Sequence, residues 1–306
     1  MQLPVAHLHT EQGYLTAVPP FDFAKSLDFL GYFAPMQTEQ VIAASNLTKA
    51  VYVAGQLVAF RLTSVGTVEK PKLAYTLYSD CPLDETSKYA AVDRISFFLS
   101  LDDDLCPFYQ VAHADADFAP IMQDLYGYHQ VKFLTPFENA CWAVLAQRNM
   151  PSVARRMKRA LTETYGGSIQ VQGQIYWTFP EASCLAHLSE DELVAVVRNV
   201  RKVEYLLAAV KAFDEVDEHF LRTAGYEEVA AWLQRIRGFG EWSVGFVMLR
   251  GLGRMERAPL TEKRLLEAAS RAYGHGKELS RSEIVKIAEG YGAYQGYWAH
   301  YLRVGS

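Results

Sequence analysis

The pattern of hydrophobic and polar positions divides the chain into two parts. Between residues 50 and 79, "AVYVAGQLVAFRLTSVG" and "KPKLAYTLYS" alternate β-branched or aromatic residues with smaller or polar ones. This alternation is typical of β-strands, and Gly55 is predicted to lie in a turn between two of them. The segment "PPFDFAKSLDFLGYF" predicts an extended entry and a short helix capped by Asp22. The sequence therefore predicts a small antiparallel sheet with one or two helices over residues 1–108.

After "CPFYQVAHAD" the apolar residues recur at helical spacing, in segments such as "FENACWAVLAQ", "KVEYLLAAVKAF" and "KRLLEAASRAYG". Several of these segments end in Gly, which is a common helix stop. The stretch "SIQVQGQIYWTF" is an exception and reads as a β-excursion. We therefore expect an α+β protein, in which an all-α domain over residues 109–306 follows the sheet domain of residues 1–108.

Composition narrows the class of protein. Half of the 306 residues are hydrophobic, which is enough for a sizeable core. No apolar stretch approaches the roughly 18–20 residues of a membrane span, and the N-terminus lacks the charge and apolar pattern of a signal peptide. The four cysteines are far apart and form no C-x-x-C pair, which argues against zinc and suits a reducing compartment. We expect a cytoplasmic protein without a metal held by side chains, a membrane partner or an obligate protein partner.

The charge is unevenly distributed. Residues 1–108 contain 7 Lys or Arg and 12 Asp or Glu, which accounts for the whole net charge of −5. Two places in the neutral remainder are locally basic: "RNMPSVARRMKRA" (148–160) and the surroundings of residues 235–264, with Arg235, Arg237, Arg250, Arg254, Arg257, Lys263 and Arg264. Contacts to phosphates need such local positive charge rather than a basic whole. A solvated helix face is the alternative interpretation of either cluster.

The segment "EEVAAWLQRIRGFGEWSVGFVMLRGLG" (227–253) predicts two helices joined by a tight Gly-x-Gly turn. Gly238 and Gly240 can adopt positive φ and place no side chain over the turn. The first amides of the second helix have no partner inside that helix. A turn of this kind directs backbone N–H groups at one point, which suits a phosphate of nucleic acid. Most Gly-x-Gly segments are ordinary turns, so the motif alone is weak.

The continuation of this segment resembles the helix-hairpin-helix DNA glycosylases, in the branch of bacterial 3-methyladenine DNA glycosylase II. That branch shows Gly-(Ile/Val)-Gly-x-Trp-Thr-Ala followed by Leu-Arg-Gly-Leu-Gly. Gly238, Phe239, Gly240, Trp242 and Ser243 match the first part, and residues 249–253 match the second. The segments "DLYGYHQVKFLTPFENACWAVLAQR" and "AYQGYWAHYL" are similar to two further helices of the family, so the resemblance covers most of the chain. The resemblance implies a base-excision repair protein that acts on duplex DNA with a damaged base, most typically an alkylated one. If the source is prokaryotic, it also implies a nucleoid-associated protein.

The family places its catalytic Asp shortly after the second hairpin helix. Counting from Trp242 without a gap, that position falls on Glu262, in "APLTEKRLL". A carboxylate there would stabilise the positive charge that develops on the sugar or activate the attacking water. Three interpretations stay open: a working catalytic Glu262, a glycosylase fold that binds DNA but cleaves poorly, and a Glu262 that merely caps the next helix.

The resemblance also implies the remaining site residues. Bifunctional members have a Lys where this chain has Trp242, so a monofunctional enzyme without lyase activity is expected. Trp242 and Phe246 are expected to line the base pocket, with Trp142, Tyr294 and Trp298 as further candidates. Arg148 or Asn149 is expected to fill the space left by the flipped base. The DNA backbone is expected to contact Gly238, Phe239, Gly240, Glu241 and Ser243. A structural Na⁺ or K⁺ is expected to bind the carbonyls near Ile236 and Phe239.

Overall fold

The computed structural model describes residues 8–37 and 39–305. The seven strands are β1 (His9–Thr16), β2 (Gln40–Ala43), β3 (Asn46–Val53), β4 (Gln56–Ser64), β5 (Lys72–Ser79), β6 (Gly167–Val171) and β7 (Gln174–Thr178). The helices before the hairpin are α1 (Phe23–Tyr32), α2 (Glu85–Leu99), α3 (Cys106–Ala114), α4 (Ala119–Asp124), α5 (Pro136–Ala146), α6 (Pro151–Tyr165), α7 (Ala182–Ala186), α8 (Glu190–Val197), α9 (Val200–Glu215) and α10 (Glu218–Thr223). The remaining helices are α11 (Tyr226–Gln234), α12 (Glu241–Phe246), α13 (Lys263–Tyr273), α14 (Arg281–Glu289) and α15 (Gln295–Gly305).

The N-terminal sheet is antiparallel, in the order β1-β5-β4-β3-β2, so the predicted α+β class is confirmed. β3 and β4 form a hairpin in which Val53 pairs with Gln56. Its turn residues, Ala54 and Gly55, have φ of 49° and 74°, as the twist of a two-residue hairpin demands. The predicted turn at Gly55 is therefore correct. The sequence interpretation did not identify β1 and β2 individually.

Alternation along the strands places two different layers on the two faces of this sheet. On one face, Leu47, Val51 and Phe60 belong to the main core. On the other face, Ala50 and Ala59 pack against the β6–β7 hairpin through Ile169 and its neighbours. The predicted β-excursion is thus a hairpin that covers the second face of the sheet.

Helix α1 begins as predicted, because the Asp22 side chain accepts a hydrogen bond from the Ala24 amide at 3.0 Å. Its apolar face buries Phe23, Leu27 and Leu30 in the main core, and that core continues into the C-terminal helices. The division at residue 108 stays a prediction, since the core residues on both sides of it are in contact. Among the residues that the structure describes, no helix combines the length and hydrophobicity that a membrane crossing requires.

A buried ion cluster joins the sheet to the helices. Lys158 on α6 contacts Glu138 on α5 at 2.6 Å and Glu39, next to β2, at 2.5 Å. Lys49 on β3 contacts the other oxygen of Glu39 at 3.3 Å. Burial opposes the charge on Lys158, but the two carboxylates outweigh it and raise the pKa of this ammonium. The cluster fixes α6, the helix that begins beside the candidate site.

Candidate functional site: a cleft beside the helix hairpin

Helices α11 and α12 form the predicted hairpin. Gly238 has φ of +93°, whereas Gly240 has φ of −99° and ends the turn in extended conformation. Only the first glycine therefore uses the left-handed region. Gly240 is the N-cap of α12 and no side chain caps the helix. The amides of Glu241 and its neighbours consequently face outward at an exposed turn.

Two side chains from other helices hold this turn in place. The ring of Tyr205 on α9 lies directly against Gly238, where an added Cβ would approach the ring to 2.3 Å. The Gln147 amide nitrogen donates to the Gly238 carbonyl at 2.8 Å and to the Ser243 hydroxyl at 3.0 Å. The Ser243 side chain is buried, so its hydroxyl braces the turn from inside.

Replacement of Gly238 by Ala is expected to weaken DNA binding and to destabilise the fold by about 1–3 kcal/mol, because the new Cβ meets Tyr205 and φ is positive. The matched control for stability is Gly240→Ala, since φ is negative there and no atom lies within 4 Å of the added Cβ. Urea unfolding of both variants and equilibrium DNA binding of Gly238→Ala check the prediction. Equal losses of stability in the two variants would contradict it.

The structure limits what Phe239 can contribute to DNA binding. Its ring is buried, with 8% exposed, and its amide donates to the Ile236 carbonyl at 3.0 Å. This residue shapes the turn from within, and DNA could reach only its remaining backbone atoms.

The loop between α5 and α6 contains both predicted wedge residues. Arg148 is exposed and has φ of 53°. It borders a depression of about 360 Å³ together with Arg201, Tyr205 and Gly238. Asn149 lies between this depression and the main cleft, but its amide donates to the Leu145 carbonyl at 2.8 Å. Met150, the last residue of the loop, is 71% exposed.

Beside the depression, Lys202 on α9 turns inward. Its ammonium donates to the Val144 carbonyl and, at 2.7 Å, to the Gln147 carbonyl at the end of α5. Burial, with the nearby Arg148 charge, lowers the pKa of Lys202 to about 8. Lys202 therefore ties α9 to the end of α5, next to the residue that braces the hairpin.

A cleft of about 800 Å³ opens next to the hairpin. Trp242 and Phe246 both line it, and their rings are stacked at 5.3 Å with an interplanar angle of 17°. Trp142 lines it as well, whereas Tyr294 and Trp298 pack elsewhere, against Phe108 and Tyr273 respectively. The expectation that these last two add to the pocket is therefore wrong.

Another part of the cleft wall comes from α1 and the residue after it, far away in the sequence. Phe29, Tyr32 and Phe33 line the cleft there, and Phe29 stacks on Phe33 at 4.7 Å. Sequence reasoning missed these residues. The only available signal was the density of aromatic residues in "FDFAKSLDFLGYF", which an ordinary core helix would explain equally well.

Glu262 lies in the same cleft, immediately before α13. It occupies the N-cap position, but its side chain makes no capping hydrogen bond. Instead its Oε2 atom accepts from Nη1 of Arg303 on α15 at 2.7 Å. The carboxylate is mostly buried, with 13% of the side chain exposed. The structure therefore gives the Glu262 side chain a position in the cleft rather than a capping contact.

Arg250 departs from the predicted basic surface. It is fully buried in a π-helical segment, Val247–Gly251, and its Cζ atom lies 4.7 Å and 4.6 Å from the ring centroids of Phe29 and Phe33. Burial lowers the pKa of Arg250 to about 10. The guanidinium therefore supports the aromatic wall from behind, where no phosphate can reach it.

Most other cations of that sequence cluster are paired with acids. The pairs are Arg237–Glu204, Arg254–Glu256, Arg257–Glu227 and Lys263–Glu267. Arg235 and Arg264 are exposed. The hairpin surroundings are therefore less basic than the sequence predicted.

His300 also lines the cleft and is almost fully buried. Its Nε2 atom lies 3.1 Å from the Tyr128 hydroxyl. Burial, together with the charges of Arg250 and Arg303, holds the pKa of His300 well below its usual value. The imidazole is therefore neutral at physiological pH and does not supply an acidic proton to the cleft.

No family model matches the chain. A DNA-3-methyladenine glycosylase of Bacillus subtilis (strain 168) is 28% identical over 185 residues, which is 60% of each chain, so the chain aligns with less than two thirds of that relative's length. The structure superposes on a 3-methyladenine DNA-glycosylase from Archaeoglobus fulgidus with a TM-score of 0.80 and 18% identity, over 95% of this chain and 97% of that one. An 8-oxoguanine glycosylase/lyase of Clostridium acetobutylicum gives a TM-score of 0.69 at 14% identity, over 98% of both chains. The chain is therefore similar in sequence to a DNA-3-methyladenine glycosylase over part of its length, and it shares its fold with solved DNA glycosylases.

Proposed function

We propose that this protein is a DNA glycosylase that hydrolyses the bond between deoxyribose and a damaged base, of the alkylated class, in duplex DNA. The observation that carries the proposal is the placement of one mostly buried carboxylate, Glu262, in the same cleft as the stacked Trp242 and Phe246. The name of the Bacillus subtilis relative supports the class of damage. A Clostridium acetobutylicum relative in fold was solved in complex with double-stranded DNA, which supports a duplex partner.

In the proposed reaction the exposed hairpin turn holds the DNA backbone, and the damaged nucleotide rotates into the cleft. The base stacks on the Trp242–Phe246 pair, in the cleft that Phe29 and Phe33 also line. As the bond between C1′ and the base nitrogen breaks, positive charge develops on the sugar, and the Glu262 carboxylate stabilises it. Water then forms the new bond to C1′ and loses a proton, while the base departs with the electron pair of the broken bond.

Arg303 has a positioning role in this scheme. Glu262 is one methylene longer than Asp, and a longer side chain has more freedom to leave its productive orientation. The Arg303 guanidinium binds Oε2 at 2.7 Å and thereby restrains the carboxylate in the cleft. We also propose that the hairpin binds a monovalent cation. The Ile236 carbonyl accepts one hydrogen bond from Phe239 and keeps a second lone pair, so such an ion would fix the turn through the oxygens of these two residues.

We further propose that the enzyme is monofunctional, because a Trp occupies position 242. The expected product is an intact strand with an abasic site, and borohydride should trap no covalent adduct with DNA. Lys263 stands at the rim of the same cleft, with 89% of its side chain exposed and Glu267 at 3.4 Å. The trapping experiment therefore includes Lys263→Gln. An adduct that forms with the wild type and disappears in this variant would overturn the monofunctional assignment.

One observation favours a second candidate, a damage-binding protein that cleaves poorly. The ion pair with Arg303 occupies part of the Glu262 carboxylate, and this could lower its reactivity toward a substrate. An assay for abasic sites on methylated, deaminated and oxidised duplexes separates the two functions. Salt-sensitive binding without abasic product on any of these duplexes would favour the second candidate.

A further inference from the structure

A second groove, separate from the cleft, runs along helix α6. It has a volume of about 490 Å³. Arg155, Arg156 and Arg159 of α6 line one side, and Ile175 and Trp177 of β7 line the other. The basic segment 148–160 therefore reaches this groove as well as the hairpin.

The groove begins where the cleft ends. Pro35 lines both of them. At the start of α6, Pro151 lines the cleft and the next residue, Ser152, lines the groove. A strand that leaves the cleft on this side meets the groove directly.

The groove has an excess of positive charge. Of its two carboxylates, Glu163 is paired with Arg159 at 2.7 Å, and Glu39 is held by the buried lysines Lys158 and Lys49. The Arg155 guanidinium donates to the neutral Gln37 amide. Arg156 is exposed and has no acidic partner among the residues that the structure describes. Arg155 and Arg156 are thus two guanidiniums on one helix whose charge no carboxylate balances.

The other side of the groove suits the sugars and bases of a strand rather than a second charged surface. Ile175 is 50% exposed, and Trp177 is half-buried. Apolar and aromatic side chains opposite cations are typical of surfaces that follow a nucleic-acid backbone. From Ser152 to Arg159, α6 rises about 10 Å at ~1.5 Å per residue, which matches the rise of about three base-pair steps along the axis of a duplex.

We propose that this α6 groove binds phosphates of the substrate DNA on one side of the lesion, so that the footprint extends from the hairpin across the cleft and onto α6. The proposal rests on the proposed function, because it takes DNA as the molecule in the cleft. It assigns a role in affinity to Arg155 and Arg156, which lie outside the cleft.

The test compares the double variant Arg155→Gln/Arg156→Gln with the wild type, using the dissociation constant of an undamaged duplex at several salt concentrations. Loss of two phosphate contacts should reduce the slope of log K against log[salt] by about two. The difference should vanish on a duplex that is trimmed to end at the cleft. The matched control, Arg281→Gln/Lys286→Gln, removes two exposed charges from α14, which lines neither cavity, and should leave the slope unchanged.

The two possible failures differ in what they show. A wild-type protein that does not bind duplex DNA would defeat the proposed function itself. A wild type that binds, with equal slopes for the wild type and the α6 variant, would overturn only the groove. An equal reduction of the salt slope in the α14 control would also overturn the α6 groove as a DNA-binding surface, because the effect would then reflect the net charge of the protein.

Discussion

Replacement of Glu262 by Gln is expected to abolish base release and to leave DNA binding largely intact. Gln preserves the size of the side chain but removes the negative charge that, in the proposed reaction, stabilises the developing cation on the sugar. Loss of one preorganised electrostatic contact in an active site typically slows the reaction by about 10²–10³-fold. Single-turnover formation of abasic sites, beside equilibrium binding of the same duplex, measures the two quantities separately.

Glu267→Gln is the matched control, because Glu267 lines the same cleft but its side chain is half exposed and paired with Lys263. It should retain the wild-type rate. Glu262→Asp gives a second comparison. Shortening the side chain breaks its contact with Arg303 and moves the oxygens by roughly an ångström, a displacement that can cost about 10²-fold. Base release by Glu262→Gln at the rate of the Glu267 control would exclude Glu262 as the catalytic carboxylate.

Replacement of Lys158 by Met is expected to have the largest effect on stability. It leaves Glu138, with 4% of its side chain exposed, buried without a cation, and it leaves Glu39 with Lys49 as its remaining cation. Removing one partner of a buried ion pair typically costs about 3–5 kcal/mol. Urea unfolding measures this loss as a lower midpoint at an unchanged slope.

Arg159→Met, one residue further along α6, is the comparison. Its pair with Glu163 is exposed, and such pairs contribute less than about 1 kcal/mol. The double variant Lys158→Met/Glu138→Gln should recover part of the loss, because it replaces the stranded carboxylate of Glu138 with a neutral amide. Equal midpoints for Lys158→Met and Arg159→Met would show that the cluster does not stabilise the fold.

The parts of the fold that the sequence predicts are those governed by local patterns. The β3–β4 hairpin follows from alternation and Gly55, and α1 follows from Asp22. The strand β1, "HTEQGYLT", is mostly exposed and buries Leu15 alone, so hydrophobic alternation does not mark it in the sequence. The hairpin turn was predictable from its two glycines, although only Gly238 has a backbone conformation that favours glycine.

The candidate site likewise contains residues that local sequence patterns predict and residues that they do not. Trp242 and Phe246 are four positions apart on one helix face, so helical geometry already brings them together. Glu262 could be placed by counting along the chain. Its partner Arg303 lies 41 residues further on, and Phe29 and Phe33 lie more than two hundred residues before it. Packing between distant elements creates those contacts, and no short segment contains a signal for them. The same packing buries Arg250, which sequence alone cannot distinguish from a surface arginine.

The origin of the aromatic wall has a consequence for how such a protein can change. In the proposed function, the hairpin that would meet the DNA backbone and the carboxylate that would meet the sugar lie in the C-terminal part, whereas Phe29, Tyr32 and Phe33 come from the N-terminal part of the chain. Substitutions in α1 can therefore reshape the surface that faces the base without altering the groups that face the sugar and the phosphates. If the proposed function holds, selectivity for a lesion and the ability to break the bond can evolve separately, and a library confined to α1 is the natural starting point for redirecting the protein to another base.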